Sequence, residues 1–161
     1  MKKMFLILAI LVLPIILLGN EWQSGTIKRV VDGDTMVLTI NGIKKKVRLV
    51  GVDTLESYDN EKLYKQARQF HTTPKKILAY GKNAKGYAMR TLNYKKVQFV
   101  TFGKDYYGRT LVWIKGFNYG LVYRGYATFY RNSPLSNEWK KKLLDAEFQA
   151  KDNKRGIWGI K

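Results

Sequence analysis

The sequence predicts an α+β domain: a five-stranded barrel with two or three packed helices. Three observations carry that expectation. β-branched runs with strand-like alternation fill residues 25–52, two more such runs fall at 97–102 and 110–114, and apolar residues recur at helical spacing after Pro74 and again from Trp139. No internal repeat or low-complexity tract competes with one folded core.

Met1-Lys2-Lys3 and the apolar run of residues 4–18, interrupted by Pro14, have the charged start and apolar centre of an export signal. The run is short for a membrane span of ~20 residues. Leu17-Leu18-Gly19 supplies one small residue where a cleavage site usually has two. Residues 1–20 are therefore expected to be a signal peptide or an uncleaved N-terminal anchor, and the protein to be exported, whether secreted or periplasmic. Residues 21–161, about 140 in number, suit a single domain.

Residues 26–31, 35–40 and 44–50 read as strands, with Asn41-Gly42 as the type I′ turn between the second and third. Alternation puts Val47 and Leu49 on one face of the third strand and Arg48 and Val50 on the other. Arg48 thus sits among apolar residues, an unusual place for a charge that only solvates. Residues 57–79 mix Tyr58, Tyr64, Phe70 and His71 with many charges and are expected to leave the barrel as a long excursion, a rim that alters substrate access. From Pro74, the spacing of Ile77, Ala84, Ala88 and Leu92 predicts a helix, which Gly81 should interrupt or kink. Strands at 97–102 and 110–114 flank a turn containing Asp105-Tyr106-Tyr107-Gly108. Asn118 should cap a short helix that ends at Gly125, and Trp139, Leu143, Ala146 and Ala150 mark a final helix after Ser133-Pro134. Five strands of this length suit a small closed barrel such as the OB-fold, which removes exposed edges and often binds nucleic acid on its outer face.

Charge narrows the partners. The chain holds 30 Lys and Arg against 12 Asp and Glu, a formal charge of +18, and such a field attracts phosphate polymers or anionic lipid. Basic residues spread over the whole chain rather than one amphipathic helix, which argues for a broad nucleic-acid footprint over a membrane surface. No protein partner is implied, and a monomer is expected. The absence of cysteine excludes disulfides, thiolate metal sites and cysteine nucleophiles. A single histidine, His71, excludes mechanisms that need two, and no phosphate-cradling glycine string points to nucleoside triphosphates.

Against that basic background, Asp32, Asp34, Asp53 and Glu56 fall close together. Asp34 and Asp53 are far enough apart in sequence that only the fold can join them. Joined, and completed by backbone carbonyls and water, they make an all-oxygen site that favours Ca²⁺ or Mg²⁺ over zinc. Taken alone, Asp32-Gly33-Asp34 is ordinary turn chemistry. Glu56 is the candidate general base that draws a proton from water attacking phosphorus; its plain alternative is an exposed loop glutamate. Arg48 and Arg109 can each pair with phosphate oxygens and stabilise the charge of a phosphoryl transition state, although a lone arginine is more often in a surface ion pair. Tyr107, Tyr130 or Tyr123 could stack on a base or bond a phosphate, while most of the 11 tyrosines serve packing.

In order, Asp32-Gly33-Asp34-Thr35, Arg48 through Glu56, and Asp105 through Arg109 resemble the D-G-D-T, R-L-x-x-x-D-T-P-E and D-x-Y-G-R motifs of the staphylococcal nuclease (thermonuclease) family. Tyr80-Gly81 with Ala84, and residues 146–151 leading to Gly156-Ile157-Trp158, are similar to its helix and C-terminal signatures. The resemblance covers residues 26–158. It implies an OB-fold nuclease that uses Ca²⁺, ahead of Mg²⁺ or Mn²⁺, to hydrolyse DNA and RNA to 3′-phosphate ends. In that likeness Asp34, Asp53 and the Thr54 carbonyl hold the metal, Glu56 serves the attacking water, Arg48 and Arg109 hold the scissile phosphate, and Tyr107 and Tyr130 contact substrate. Three departures stand out. Leu55 replaces a proline that would stiffen the loop aiming Glu56, Tyr106 stands where a basic residue is frequent, and residues 57–79 are longer than in compact members. The alternative is a nucleic-acid-binding barrel that is catalytically weak or inactive. An anchored cationic protein acting on lipid would leave the acidic cluster unexplained.

Overall fold

Ile27, Met36, Leu38, Val47 and Leu49 turn inward from three successive strands and are almost wholly buried, as apolar residues on one face of a pleated strand must. The computed structural model describes residues 21–160, so the expected leader, residues 1–20, lies outside the described residues. The chain runs through β1 (Gln23–Asp32), β2 (Thr35–Ile40), β3 (Ile43–Leu49) and β4 (Val52–Thr54), then α1 (Glu61–Gln69) and α2 (Pro74–Leu92). It continues through β5 (Lys96–Lys104), β6 (Thr110–Ile114), α3 (Phe117–Tyr123), β7 (Ala127–Phe129) and α4 (Asn137–Asp152), ending in a 3₁₀ turn, Gly156–Gly159.

Five strands close a barrel in the order β1-β2-β3-β6-β5, while β4 and β7 pair separately. Asn41 and Gly42 take φ of 49° and 78°, the two positive values that the turn demands. They set a β2–β3 register that runs from Ile40 opposite Ile43 to Thr35 opposite Arg48. Irregularities in the β1–β2 pairing near Arg29 and Asp32 let those strands curl. Closure comes from β1 against β5, antiparallel, and β3 against β6, parallel. The main core fills the barrel and reaches Leu121, Leu143 and Ala146 on the helices outside it.

The expected α+β barrel forms, with one helix beyond the three that periodicity marks. That helix lies in the supposed excursion: Asn60 caps α1 by accepting from the Leu63 backbone N–H at 3.0 Å, and His71 ends it at φ 49°. Leu63 and Ala67 of α1 join Leu55, Ile77 and Ile157 in a second, smaller core. Residues 57–79 are thus packed structure.

Two further expectations are corrected. Gly81 does not interrupt α2, which continues through it to Leu92. Its role is close approach, since a Cβ there would stand 2.0 Å from the Glu56 carbonyl oxygen. Asn118 does not cap α3, whose N-cap is Gly116. It is fully buried and its side chain accepts from the Ile114 N–H at 2.8 Å and donates to the Val50 carbonyl at 2.9 Å. A buried amide that satisfies strand ends is worth more there than at an exposed cap.

Gly81→Ala tests the close approach, because the sign of its effect is diagnostic. In an ordinary helix interior the change stabilises by about 1 kcal/mol. Here it should destabilise by about 1–3 kcal/mol through overpacking against backbone, read as a lower urea midpoint with unchanged slope.

Candidate active site

A cleft of about 660 Å³ opens where the end of β1, the start of β2, the ends of β3 and β4, the β5–β6 turn and the segment after β7 converge. Asp34, Arg48, Asp53, Glu56, Tyr107, Arg109 and Tyr130 all line it. Thr54 does not. It is buried, and its carbonyl accepts from Gln66 Nε2 at 3.2 Å.

Arg48 joins the two distant aspartates. Its Nη1 lies 3.2 Å from Asp34 Oδ1 and its Nη2 2.6 Å from Asp53 Oδ1. Strand register explains the first contact, because Arg48 stands opposite Thr35, the residue after Asp34. Asp34 is further fixed by the Thr35 hydroxyl at 2.9 Å and by the Thr54 N–H at 3.1 Å. Burial works against the charge of Arg48, but Asp34 and then Asp53 outweigh it and hold its pKa above the ordinary value. Asp32 behaves oppositely: burial raises its pKa despite the Gly33 N–H bond, and neighbouring Asp34 adds to the rise.

Glu56 is held from three sides by residues that sequence reasoning missed. Asn60 Nδ2 donates to its Oε2 at 2.6 Å, Lys62 Nζ pairs with its Oε1 at 2.9 Å, and its backbone N–H donates to Gln66 Oε1 at 2.9 Å. Lys62 also reaches Asp53 Oδ1 at 2.9 Å. Burial again opposes its charge and the carboxylates, Asp53 foremost, raise its pKa. Lys62 stands in the first turn of α1, where the helix dipole disfavours a cation; the acidic cluster explains its presence there. Leu55 is 2% exposed within the small core, so packing and Gln66 anchor the loop that lacks a proline. The signal for these residues was present as Asn60 ahead of Leu63, Gln66, Ala67 and Phe70, a capped helical stripe.

Arg109 is aimed by its own turn. Asp105 Oδ2 accepts from Arg109 Nε at 2.7 Å, and Oδ1 accepts from the backbone N–H groups of Tyr107 and Arg109. Burial pushes the Asp105 pKa up, but the Arg109 N–H and guanidinium prevail and lower it from the ordinary 3.8. The guanidinium carbon sits 5.4 Å from the centre of the Tyr107 ring, which is 78% exposed. Tyr130 forms another wall, 51% exposed, beside β7, whose Phe129 N–H is held by buried Glu147 of α4. Tyr123 lies elsewhere, stacked on Tyr119 and beneath Arg155. His71 is exposed and takes no part in the cleft.

Among the described residues no three acidic or histidine side chains gather closely enough to enclose a metal ion by themselves. Asp34 and Asp53, brought to one guanidinium, still fit a hard divalent cation in kind, because they are oxygen donors facing a cleft that water and substrate phosphate can share. Two guanidiniums and a held carboxylate thus line one cleft, a set of donors and acceptor suited to a phosphodiester.

Comparison with known proteins finds one family and several relatives. The family described as staphylococcal nuclease homologue matches residues 46–159. An uncharacterised protein of Methanocaldococcus jannaschii is 35% identical over 156 residues, covering 86% of this chain and 73% of that protein. The thermonuclease of Staphylococcus hyicus is 33% identical, covering 87% of this chain and 78% of the relative, and that of Staphylococcus intermedius is 32% identical, covering 84% and 76%.

Asp105→Asn keeps the backbone acceptor and removes the ion pair with Arg109. Since the folded pKa of Asp105 is depressed, its stabilisation is present above the ordinary 3.8 and is lost as pH falls through the folded value. The variant should be less stable by about 1 kcal/mol at pH 7, and the difference should close as urea unfolding is repeated below about pH 4.

Proposed function

The chain belongs to the staphylococcal nuclease family, and on that premise we propose that it is a metal-dependent nuclease, hydrolysing phosphodiester bonds of DNA and RNA with Ca²⁺ as cofactor and leaving 3′-phosphate ends. The observation that carries the reading is the meeting of Arg48, Arg109 and Glu56, from three separate elements, around the Asp34–Asp53 pair in one cleft. Export completes the proposal, supported by the charged start and apolar run of residues 1–18.

The chemistry follows from the side chains. Arg48 and Arg109 bind the scissile phosphate and stabilise the charge that builds on its oxygens. Glu56, oriented by Asn60 and the Gln66 clip, takes a proton from a water whose oxygen bonds to phosphorus. The bond from phosphorus to the 5′ oxygen breaks, and that oxygen takes up a proton from solvent water, to which Glu56 in turn returns the proton it accepted. Asp34 and Asp53 would hold the cation, which when bound supplies positive charge to a phosphate oxygen. Tyr107 and Tyr130 offer exposed rings on which bases stack.

One observation favours a second reading. Lys62 already bridges Asp53 and Glu56, and a permanent bridge of that kind would leave a barrel that binds nucleic acid without cutting it. Calorimetry separates the two. If Lys62 and Ca²⁺ compete for the same oxygens, Lys62→Met should tighten Ca²⁺ binding about tenfold, or about 1.4 kcal/mol. Unchanged Ca²⁺ affinity would mean that the ammonium and the cation do not share Asp53.

Cleavage of plasmid, single-stranded DNA and RNA by the protein lacking residues 1–20 should require Ca²⁺ and stop with chelator. Glu56→Gln and Arg109→Ala should each lower turnover by about 100-fold or more, with nucleic-acid affinity changed only a few-fold. Cleavage that persists in chelator would remove the metal from the mechanism, and full activity in either variant would remove that residue.

A further inference from the structure

Beside the cleft lies a second concavity of about 340 Å³, lined by Lys45, Lys46, Lys104, Tyr107, Gly108, Arg109 and Thr110. Strand pairing builds it. Thr110 of β6 stands opposite Val47 of β3 on one side and Lys104 of β5 on the other. Lys46, next to Val47, and Lys104 therefore flank one short stretch of barrel wall. An irregularity in β5 between Thr101 and Lys104 turns the strand end there. Lys104, Tyr107 and Arg109 line both concavities, so the groove and the cleft run into each other.

The two differ in charge. Asp32, Asp34, Asp53, Glu56 and Asp105 line the cleft, whereas no carboxylate lines the groove. Lys45, Lys46 and Lys104 are exposed and have no carboxylate partner among the described residues. Like charges crowded into a concavity repel one another until an anion enters. At the shared mouth, Tyr106 and Tyr107 meet edge to face, ring centres 5.4 Å apart, and both are exposed. An aromatic platform leading into a lysine groove is the arrangement that holds an unpaired strand, stacking its bases and tracking its phosphates.

We propose that this groove is an extended subsite for single-stranded nucleic acid: Lys45 and Lys46 hold backbone phosphates beyond the one bound at Arg48 and Arg109, with Tyr107 as the step between. The subsite rests on the nuclease reading for its orientation, since a strand whose phosphate lies in the cleft must leave it. The groove is a continuous exit that adds no negative charge.

Lys45→Gln/Lys46→Gln removes two charges from exposed side chains of β3. The matched control is Lys95→Gln/Lys96→Gln, whose residues line a separate cleft that shares no residue with either concavity. Fluorescence anisotropy in chelator compares a trinucleotide with a single-stranded DNA of about 20 nucleotides. The groove double should weaken the long strand about tenfold at low salt and reduce the slope of log affinity against log salt by about 1.4, two phosphates at ~0.7 each. Trinucleotide affinity should not change. In cleavage assays KM for the long strand should rise with kcat preserved. Equal losses in the control would reduce the effect to the overall field of the protein and overturn the subsite. A matching loss with the trinucleotide would place the lysines in the cleft and overturn it too. Should the wild-type protein cut nothing with any metal while anisotropy shows the length-dependent pattern, the nuclease reading fails and the strand-binding groove stands.

Discussion

Asp34 and Asp53 share one guanidinium, and much of the cleft is arranged around that fact. Two like charges about 4 Å apart repel by about 4 kcal/mol at an effective dielectric near 20, so carboxylates brought together in a half-buried site need a cation between them. Arg48 is that cation, with one nitrogen on each acid. Its placement depends on β-register, because a slip of one residue between β2 and β3 would turn Arg48 toward the core and Val47 toward the cleft. The positive-φ pair Asn41-Gly42 excludes the slip. The other acid depends on β4, whose Asp53 pairs with Thr128 of β7, and β7 is held in turn by Glu147 of α4. A turn at one end of the chain and a helix at the other therefore converge on the same two carboxylates.

Glu56 is positioned by a different kind of force. Its backbone rests against Gly81, where no side chain could intervene, while Leu55 is driven into the small core with Leu63, Ala67 and Ile77. Gln66 satisfies the Thr54 carbonyl and the Glu56 N–H with one amide. These buried bonds cost little to make and about 1–3 kcal/mol each to leave unmade. A loop fixed by burial on one side and by hydrogen bonds at both ends does not need the restricted φ of a proline. Leu55, which looks in the sequence like a weakness, becomes an anchor because α1 supplies the pocket it fills.

The barrel was legible in the sequence because its signals are local. Alternation at 35–40 and 44–50 and the Asn-Gly turn each act over a few residues, and Arg48 between apolar neighbours marked a charge facing something other than solvent. What escaped depends on distant atoms. A glycine inside a helical pattern signals a kink or a close approach with equal force, and the deciding atom for Gly81 is the carbonyl oxygen of Glu56. Asn118 likewise has the chemistry of a cap, and only the fold brings the Val50 carbonyl within reach of its amide. Lys62 and Asn60 were hidden because α1 has a narrow apolar stripe among many charges, so the short helix that carries them read as loop.

The charges of the cleft give the recovered helix a physical reason. Asp32, Asp34, Asp53, Glu56 and Asp105 line the cleft against Arg48, Lys62, Lys104 and Arg109, a formal excess of one negative charge. Without Lys62 the excess would be two, on a chain whose formal charge is +18. A phosphate polymer drawn in by that charge would meet a local repulsion at the one place it must enter. Lys62 lowers that barrier in the free protein and is half exposed, 43%, so it can swing aside at little cost in packing. A divalent cation that takes the place of Lys62 among these oxygens would bring the formal balance of the cleft to zero. The helix in residues 57–79 thus acts less as a wall around the cleft than as a source of adjustable charge within it.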